Sequence, residues 1–304
     1  PYECADVPDE GYPDGLTANL AVKKLRALSK GEKPFCLAVG FFKPHLPFTA
    51  PRKYWDLYDE NAIPLSPVPN IPEGICRYAL HNSGEFNGYL EGDERASLDK
   101  SVSEVYARKL RHAYFACISY IDAQVGKIID ELERLGEADN TIIVVWGDHG
   151  WHLGDQRVWG KHTLMETSLR STLIMKVPHS SKSIENHRIV SSIDIYPTLM
   201  ELCGVSVPDG LDGNSFTKLL ADPKERSWHE AAYSYFNNGV SVRVPQYRLT
   251  RYRDKTKYIS ELYDYHVDDM ERKNTFECAE KEFVKKLIDV WEKGVCPEKG
   301  ELPE

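Results

Sequence analysis

The stretch that most constrains this chain is Thr141–Trp146, TIIVVW, a short β-branched run that is apolar on both faces and leads directly into Gly147-Asp148-His149-Gly150. A strand polar on one face can lie at a surface, but one that is apolar on both needs cover on each side, as a central parallel strand of an α/β sheet has. Ligands in such sheets bind beyond the carboxyl ends of the strands, so Asp148 and His149 stand where a site is expected.

The elements around this run fit the same class. From about Ser103 to Leu135, the residues Ile118, Ile121, Val125, Ile128, Leu132 and Leu135 recur at alternating steps of three and four, which predicts a helix that Gly136 ends. Upstream, Leu16–Lys30 reads as a helix stopped by Gly31, and Pro34–Phe42 as an apolar strand ending in KPHLPF, with Lys43 and His45. Between Pro44 and about Gly92 the chain is rich in Pro, Gly and Asn and has no period, which predicts a long irregular excursion over the site face. Strand, long loop, helix, strand is the order of a right-handed crossover in a parallel sheet. Thr172–Val177 gives a third strand, and Asp194–Cys203 a short helix behind a good N-cap residue.

After about Pro223 the texture changes. SVRVPQYRLTRYR and KYISELYDY alternate polar and apolar residues, as antiparallel strands with one solvated face do, and Ala279–Lys293 forms a last helix with Phe283, Leu287, Val290 and Trp291 on one side. The expected architecture is α/β: a mostly parallel sheet flanked by helices over residues 1–222, then a small α+β subdomain over 223–304 containing an antiparallel sheet.

Composition narrows the partners. A net charge of −9 without a basic tract argues against nucleic acid and anionic membranes. No apolar run approaches the roughly 18 residues a bilayer span needs. The seven cysteines are scattered without a C-x-x-C pair, against a disulfide scaffold or a cysteine-ligated zinc site. The start at Pro1, without Met or signal peptide, suggests a processed or truncated product. None of the eleven Asn residues begins an N-x-S/T sequon, which leans towards a bacterial source.

Taken singly, the candidate residues leave alternatives open. Asp148 and His149 could be half of a divalent metal site, or a helix-capping Asp beside a structural His. His45, between Pro44 and Pro47, could hold a fixed direction toward a reacting oxygen, or be a hydrogen-bonded loop residue. Lys161, beyond the turn-rich Gly154–Gly160 loop, suits a sulfate or phosphate oxygen, although most lysines, and Lys43 more so, are solvated. Trp151 and His152 could line a sugar pocket or simply pack.

Jointly they say more. FFKPHLPF, WGDHGWHLGDQRVWGK, SSIDIYPTLMELCGV with GLDGNSF, and ELYDYHVDDMERKN occur in an order that resembles the C-terminal two-thirds of type I sulfatases, in the iduronate-2-sulfatase-like branch of the alkaline phosphatase superfamily. The resemblance spans essentially the whole chain. It implies a sulfuric ester hydrolase acting on a sulfated sugar or glycan, with Asp148 and His149 as ligands of a Ca2+ ion. It further implies that Lys161 and His45 bind the sulfate and stabilise or protonate the leaving oxygen, and that Lys43 and Trp151 lie near the substrate. An exported location follows for a bacterial protein, a lysosomal one for an animal protein. The family's acidic pair and its C-x-P/A-x-R segment, source of the formylglycine nucleophile, do not occur in these 304 residues, so both are expected on an N-terminal segment that completes the site. The other readings are a two-metal phosphatase or phosphodiesterase of the same superfamily, drawing on His162, His179, His187 and Asp194, and a non-catalytic binder of sulfated glycans.

Overall fold

The computed structural model describes residues 1–89, 94–180, 183–228 and 230–294. β1 (Tyr2–Ala5) is followed by α1 (Pro13–Leu28), whose Pro13 occupies the first turn, where a missing N–H costs nothing. β2 (Phe48–Pro51) pairs in parallel with β1, Tyr2 opposite Phe48, and runs into the single turn α2 (Arg52–Trp55). With the further turn α3 (Gly84–Asn87), the excursion after Pro44 is more ordered than its aperiodic composition predicts. α4 (Glu104–Arg134) is the long helix the periodicity requires, and Ser103 caps it by accepting from the Tyr106 N–H. Its inner face buries Leu110, Ala113, Ala116, Cys117 and Tyr120 against Phe48, Ala50, Tyr54 and Trp55. Burial of each large apolar side chain there stabilises the fold by about 1.5–3 kcal/mol.

The chain continues through β3 (Ile143–Trp146), β4 (His152–Leu153), β5 (Trp159–Gly160), α5 (Glu166–Leu169) and β6 (Leu173–Lys176). The run expected to be a covered parallel strand is instead antiparallel to β6, Ile143 opposite Lys176 and Trp146 opposite Leu173. The segment between them doubles back through the β4–β5 ladder, so β6 meets β3 from the opposite direction, and the Gly147 N–H donates to the Thr172 carbonyl (2.9 Å) just beyond the pair. Trp146 is 51% exposed and Ile174 61%, so part of this apolar surface lies open among the described residues. The expected strand over 34–42 is likewise not realised as one. It has no ladder partner among the described residues, although Phe35 and Leu37 pack with Ile143 over Leu25 of α1 and Leu132 of α4. Its end is fixed where the Phe42 and Lys43 N–H groups donate to the Asp14 carboxylate (2.7 and 2.9 Å).

α6 (Ile195–Leu202) and α7 (Thr217–Ala221) lead to four strands, β7 (Ala232–Phe236), β8 (Gly239–Val244), β9 (Tyr247–Asp254) and β10 (Lys257–Asp264), then α8 (Lys281–Gly294). The strands form the antiparallel meander that the alternation predicts. Val242, Leu249, Leu262, Leu287 and Trp291 close an apolar cluster between sheet and helix. This sheet is tied to the rest through Arg248 of β9, which is buried and donates to Glu166 of α5, to Glu271 (2.9 Å) and to the Ser241 hydroxyl (3.1 Å).

Candidate active site

The backbone first fixes two loops against each other. Gly150 lies so close to the chain ahead of β6 that a Cβ there would sit 2.1 Å from the Thr167 carbonyl oxygen, and its N–H donates to the Ser168 carbonyl (2.7 Å). At the end of β5, a Cβ on Gly160 would meet the His81 ring at 2.8 Å. No residue but glycine fits either position without displacing its neighbour. The DHG loop is thereby held against α5, and Lys161 emerges beside the 81–88 loop.

His45 and Lys161, 116 residues apart in sequence, meet here: the Lys161 ammonium lies 2.8 Å from His45 Nε2. His45 Nδ1 is 2.8 Å from the Leu46 carbonyl, which can only accept, so Nδ1 carries the hydrogen and Nε2 is the atom presented to the site. Lys161 also lies 5.3 Å from the centre of the Trp151 ring. Trp151 is itself buried against His45 and Phe48, and its indole N–H has no hydrogen-bond partner among the described residues. Lys161 is thus a largely enclosed cation rather than a solvated one.

A residue that sequence reasoning missed completes this cluster. Glu85 of α3 places Oε1 3.2 Å from the Lys161 ammonium and 3.1 Å from His45 Nε2. Its turn is well anchored: Phe86 is fully buried and stacks on Trp159 (5.7 Å), the Ser83 hydroxyl accepts from the Trp159 N–H (2.9 Å), and Asn87 bonds both N–H and C=O of Ala96. The only signal in HNSGEFNG is a charged residue beside a single Phe in a loop, too common a pattern to mark a site.

Lys43 differs from the exposed lysine that its type favours. It is buried, and its ammonium donates to the carbonyls of His45 (2.8 Å) and Pro47 (2.6 Å), so it braces the loop that aims His45. Burial pulls its pKa below the usual lysine value.

Asp148 and His149 lie at the end of β3 as expected, yet apart from this cluster in their contacts. Asp148 caps no helix; its Oδ1 accepts from the His149 N–H (3.0 Å), and its side chain is 79% exposed. His149 Nδ1 is committed to the Gly150 carbonyl (2.7 Å), which leaves Nε2, 3.5 Å from Asp148 Oδ2, as the free nitrogen. A carboxylate and an imidazole nitrogen that face one point suit a divalent cation, but two side chains are too few to hold one. Among the described residues no three His, Cys, Asp or Glu side chains gather to hold a metal.

The remaining candidates are structural. His152 does not line a pocket; it is fully buried with Nε2 2.9 Å from the Thr163 hydroxyl, and burial lowers its pKa. His162 stacks on Phe236 (5.6 Å), and Asp194 accepts from the Ser191 and Asn214 N–H groups. Neither gathers with His179 or His187 into a second ligand set among the described residues.

Comparison with known proteins bears on this geometry. A family model described as sulfatase matches residues 1–205, and one described as N-sulphoglucosamine sulphohydrolase, C-terminal, matches 147–293. Iduronate 2-sulfatase of Mus musculus is 30% identical over 68% of this chain and 43% of its own length. A sulfatase of Formosa agariphila is 30% identical over 86% of this chain and 49% of its own. The chain therefore spans about half the length of these relatives. A protein solved in complex with its substrate D-glucosamine-2-N,6-O-disulfate superposes with a TM-score of 0.78, at 22% identity, over 95% of this chain and 72% of the other. A phosphonate monoester hydrolase from Silicibacter pomeroyi does so with a TM-score of 0.74, at 21% identity, over 94% and 60%. These last two likenesses establish the shared α/β fold.

Proposed function

This chain belongs to the sulfatase family, and from that premise we propose that it supplies the sulfate-holding part of a sulfuric ester hydrolase acting on sulfated carbohydrate. The observation that carries the reading is the Lys161–His45 contact at 2.8 Å, a cation and an imidazole converging from distant loops. An ammonium against a sulfuryl oxygen stabilises charge that grows in the transition state, and the imidazole beside it is placed to orient or protonate the leaving group. When the S–O ester bond breaks, the sugar oxygen leaves as an alkoxide and must take a proton. His45 Nε2 and the Lys161 ammonium are the two groups placed to give it, with Trp151 beneath them excluding water. Lys43 holds the KPHLPF backbone and lies near the substrate.

Asp148 and His149 would hold the divalent cation, which we assign as calcium. Bound there, it would offset charge on the sulfuryl oxygens. The nucleophile, a formylglycine, and the other ligands are assigned to an N-terminal segment outside this chain. The half-length match to relatives supports this, as do the apolar surface of β3 left open, and the run over 34–42 left unpaired, among the described residues. Residues 1–222 then form the C-terminal part of the catalytic domain, and 223–304 a subdomain that braces α5. The sugar class is taken from the relative named for iduronate and from the neighbour solved with D-glucosamine-2-N,6-O-disulfate. Export or a lysosomal location belongs to the same proposal; no helix among the described residues is long and apolar enough to cross a membrane.

The test is calorimetric titration of the chain with glucosamine 6-sulfate and with glucosamine. Binding that needs the sulfate and is lost in Lys161→Ala supports the reading. Equal binding of both sugars, or by Lys161→Ala, contradicts it.

A further inference from the structure

A carboxylate is an unexpected neighbour for an anion site. Glu85 lies against the two groups meant to meet a sulfate, and its charge opposes theirs. Its second oxygen is buried and has no hydrogen-bond partner among the described residues, so the carboxylate is partly stripped of water. A half-buried carboxylate with one oxygen unpartnered is costly, and it persists where a specific cation offsets that cost.

Hydrogen-bond capacity shows what it can do. Lys161 has three donors and no acceptor; His45 Nε2 either accepts, when the ring is neutral, or donates, when it is protonated. At 2.8 Å the two attract only while the ring is neutral. A protonated His45 has nothing to donate to in Lys161, but Glu85 Oε1 at 3.1 Å accepts from it, and from Lys161 at 3.2 Å. Glu85 therefore gives both protonation states of the pair a partner, and it turns the Lys161 ammonium so that one N–H remains for an incoming oxygen.

We propose that Glu85 is a positioning residue of this site: it holds Lys161 and His45 in register whichever of them carries the transferable proton, at the expense of affinity for the anion. This rests on the sulfatase reading of the same residues. It separates two quantities that a merely structural role would move together. Removing the charge in Glu85→Gln should strengthen binding of the anionic substrate, because a like charge a few ångströms away is gone; the KM should fall about three- to tenfold. Turnover should fall as well, by about 10- to 100-fold, because the proton donor is no longer aligned.

The experiment uses the intact protein that contains this chain, with glucosamine 6-sulfate as substrate, whose alkoxide needs the donated proton, and released sulfate as the readout, and compares wild type, Glu85→Gln and Glu85→Asp. Glu85→Asp keeps the charge but draws the carboxylate back, so it should keep the wild-type KM while losing part of kcat. It also serves as the second variant should Glu85→Gln fold poorly. A lower KM with a lower kcat in Glu85→Gln, against an unchanged KM in Glu85→Asp, is the expected result. If both variants lose kcat with an unchanged or raised KM, or if neither parameter moves, the role assigned to Glu85 is wrong while the sulfatase reading stands. A wild-type protein that does not turn over the ester removes both.

Discussion

Replacing Arg248 by Met should destabilise the chain by about 4 kcal/mol, within the 3–5 kcal/mol range for breaking a buried ion pair from one side. The side chain of Arg248 is 2% exposed and that of Glu271 1%, and the guanidinium Nε donates to Glu271 (2.9 Å) and to the Tyr265 hydroxyl (3.1 Å). Its other nitrogens serve Ser241 (3.1 Å) and Glu166. Burial alone would disfavour the Arg248 charge; Tyr265, Glu271 and Glu166 outweigh it and hold the pKa above the ordinary value. Burial pushes the Glu271 carboxyl up, against the pull of Arg248. Methionine fills the volume, so the loss is electrostatic: Glu271 is left charged and buried, with Tyr265 and the Glu166 N–H as its remaining partners among the described residues. The double variant Arg248→Met/Glu271→Gln leaves no orphan charge and should recover to within about 1–2 kcal/mol of wild type. Urea denaturation followed by circular dichroism measures all three proteins. Hydrogen exchange should also quicken at the Gly150 amide in the single variant, because Glu166 begins the turn whose Ser168 carbonyl holds that amide. A single-variant loss below about 1 kcal/mol, or a double variant no better than the single, would refute the reasoning.

Three further outcomes follow from the same structure. Glu261 is fully buried, and burial pushes its carboxyl from 4.5 up to about 7 despite the Cys76 N–H it accepts. The folded chain therefore keeps a proton that the unfolded chain has released above about pH 4.5, so this stability is present at low pH and lost as pH rises through about 7. Denaturation at pH 5 and pH 8 should differ by on the order of 2–3 kcal/mol in wild type and by much less in Glu261→Gln; equal slopes would contradict this. Phe86→Ala should cost about 3–5 kcal/mol in the same assay, because a fully buried ring is lost; a cost under about 1 kcal/mol would mean that the turn is not anchored by that ring. Lys43→Met strands the His45 and Pro47 carbonyls and should cost about 1–3 kcal/mol. An unchanged midpoint would show that solvent, rather than Lys43, satisfies them.

Legibility in the sequence followed the range of the interactions involved. α4 could be read because apolar residues from Ile118 to Leu135 repeat one local period, and the C-terminal meander because its sequence alternates polar and apolar residues, although β8 and β9 are each buried over several consecutive residues rather than on one face alone. The direction of β3 could not. Apolarity on both faces reports that a strand needs cover, but which neighbour supplies it depends on the path of residues 147–172, and that path returns antiparallel. The run 34–42 reads as a strand because it is extended and apolar, whereas strand pairing needs a second chain segment that no local pattern specifies. His45 was visible because it closes an apolar run, and Lys161 because it ends the WGDHGWHLGDQRVWGK motif that carries the family resemblance. Glu85 was not, since its importance arises only where α3 is pinned beneath β5 by Phe86 and Ser83.

The central claim, that Lys161 and His45 form the sulfate-holding part of a sulfuric ester hydrolase, is tested most directly by sulfate release. The intact protein containing this chain is incubated with calcium and 4-nitrocatechol sulfate, and inorganic sulfate is counted by ion chromatography for wild type and Lys161→Ala. The account predicts steady release by wild type and a fall of about 100- to 1,000-fold in the variant, the loss typical of one essential transition-state contact. No release by wild type, or release by Lys161→Ala at the wild-type rate, would contradict it.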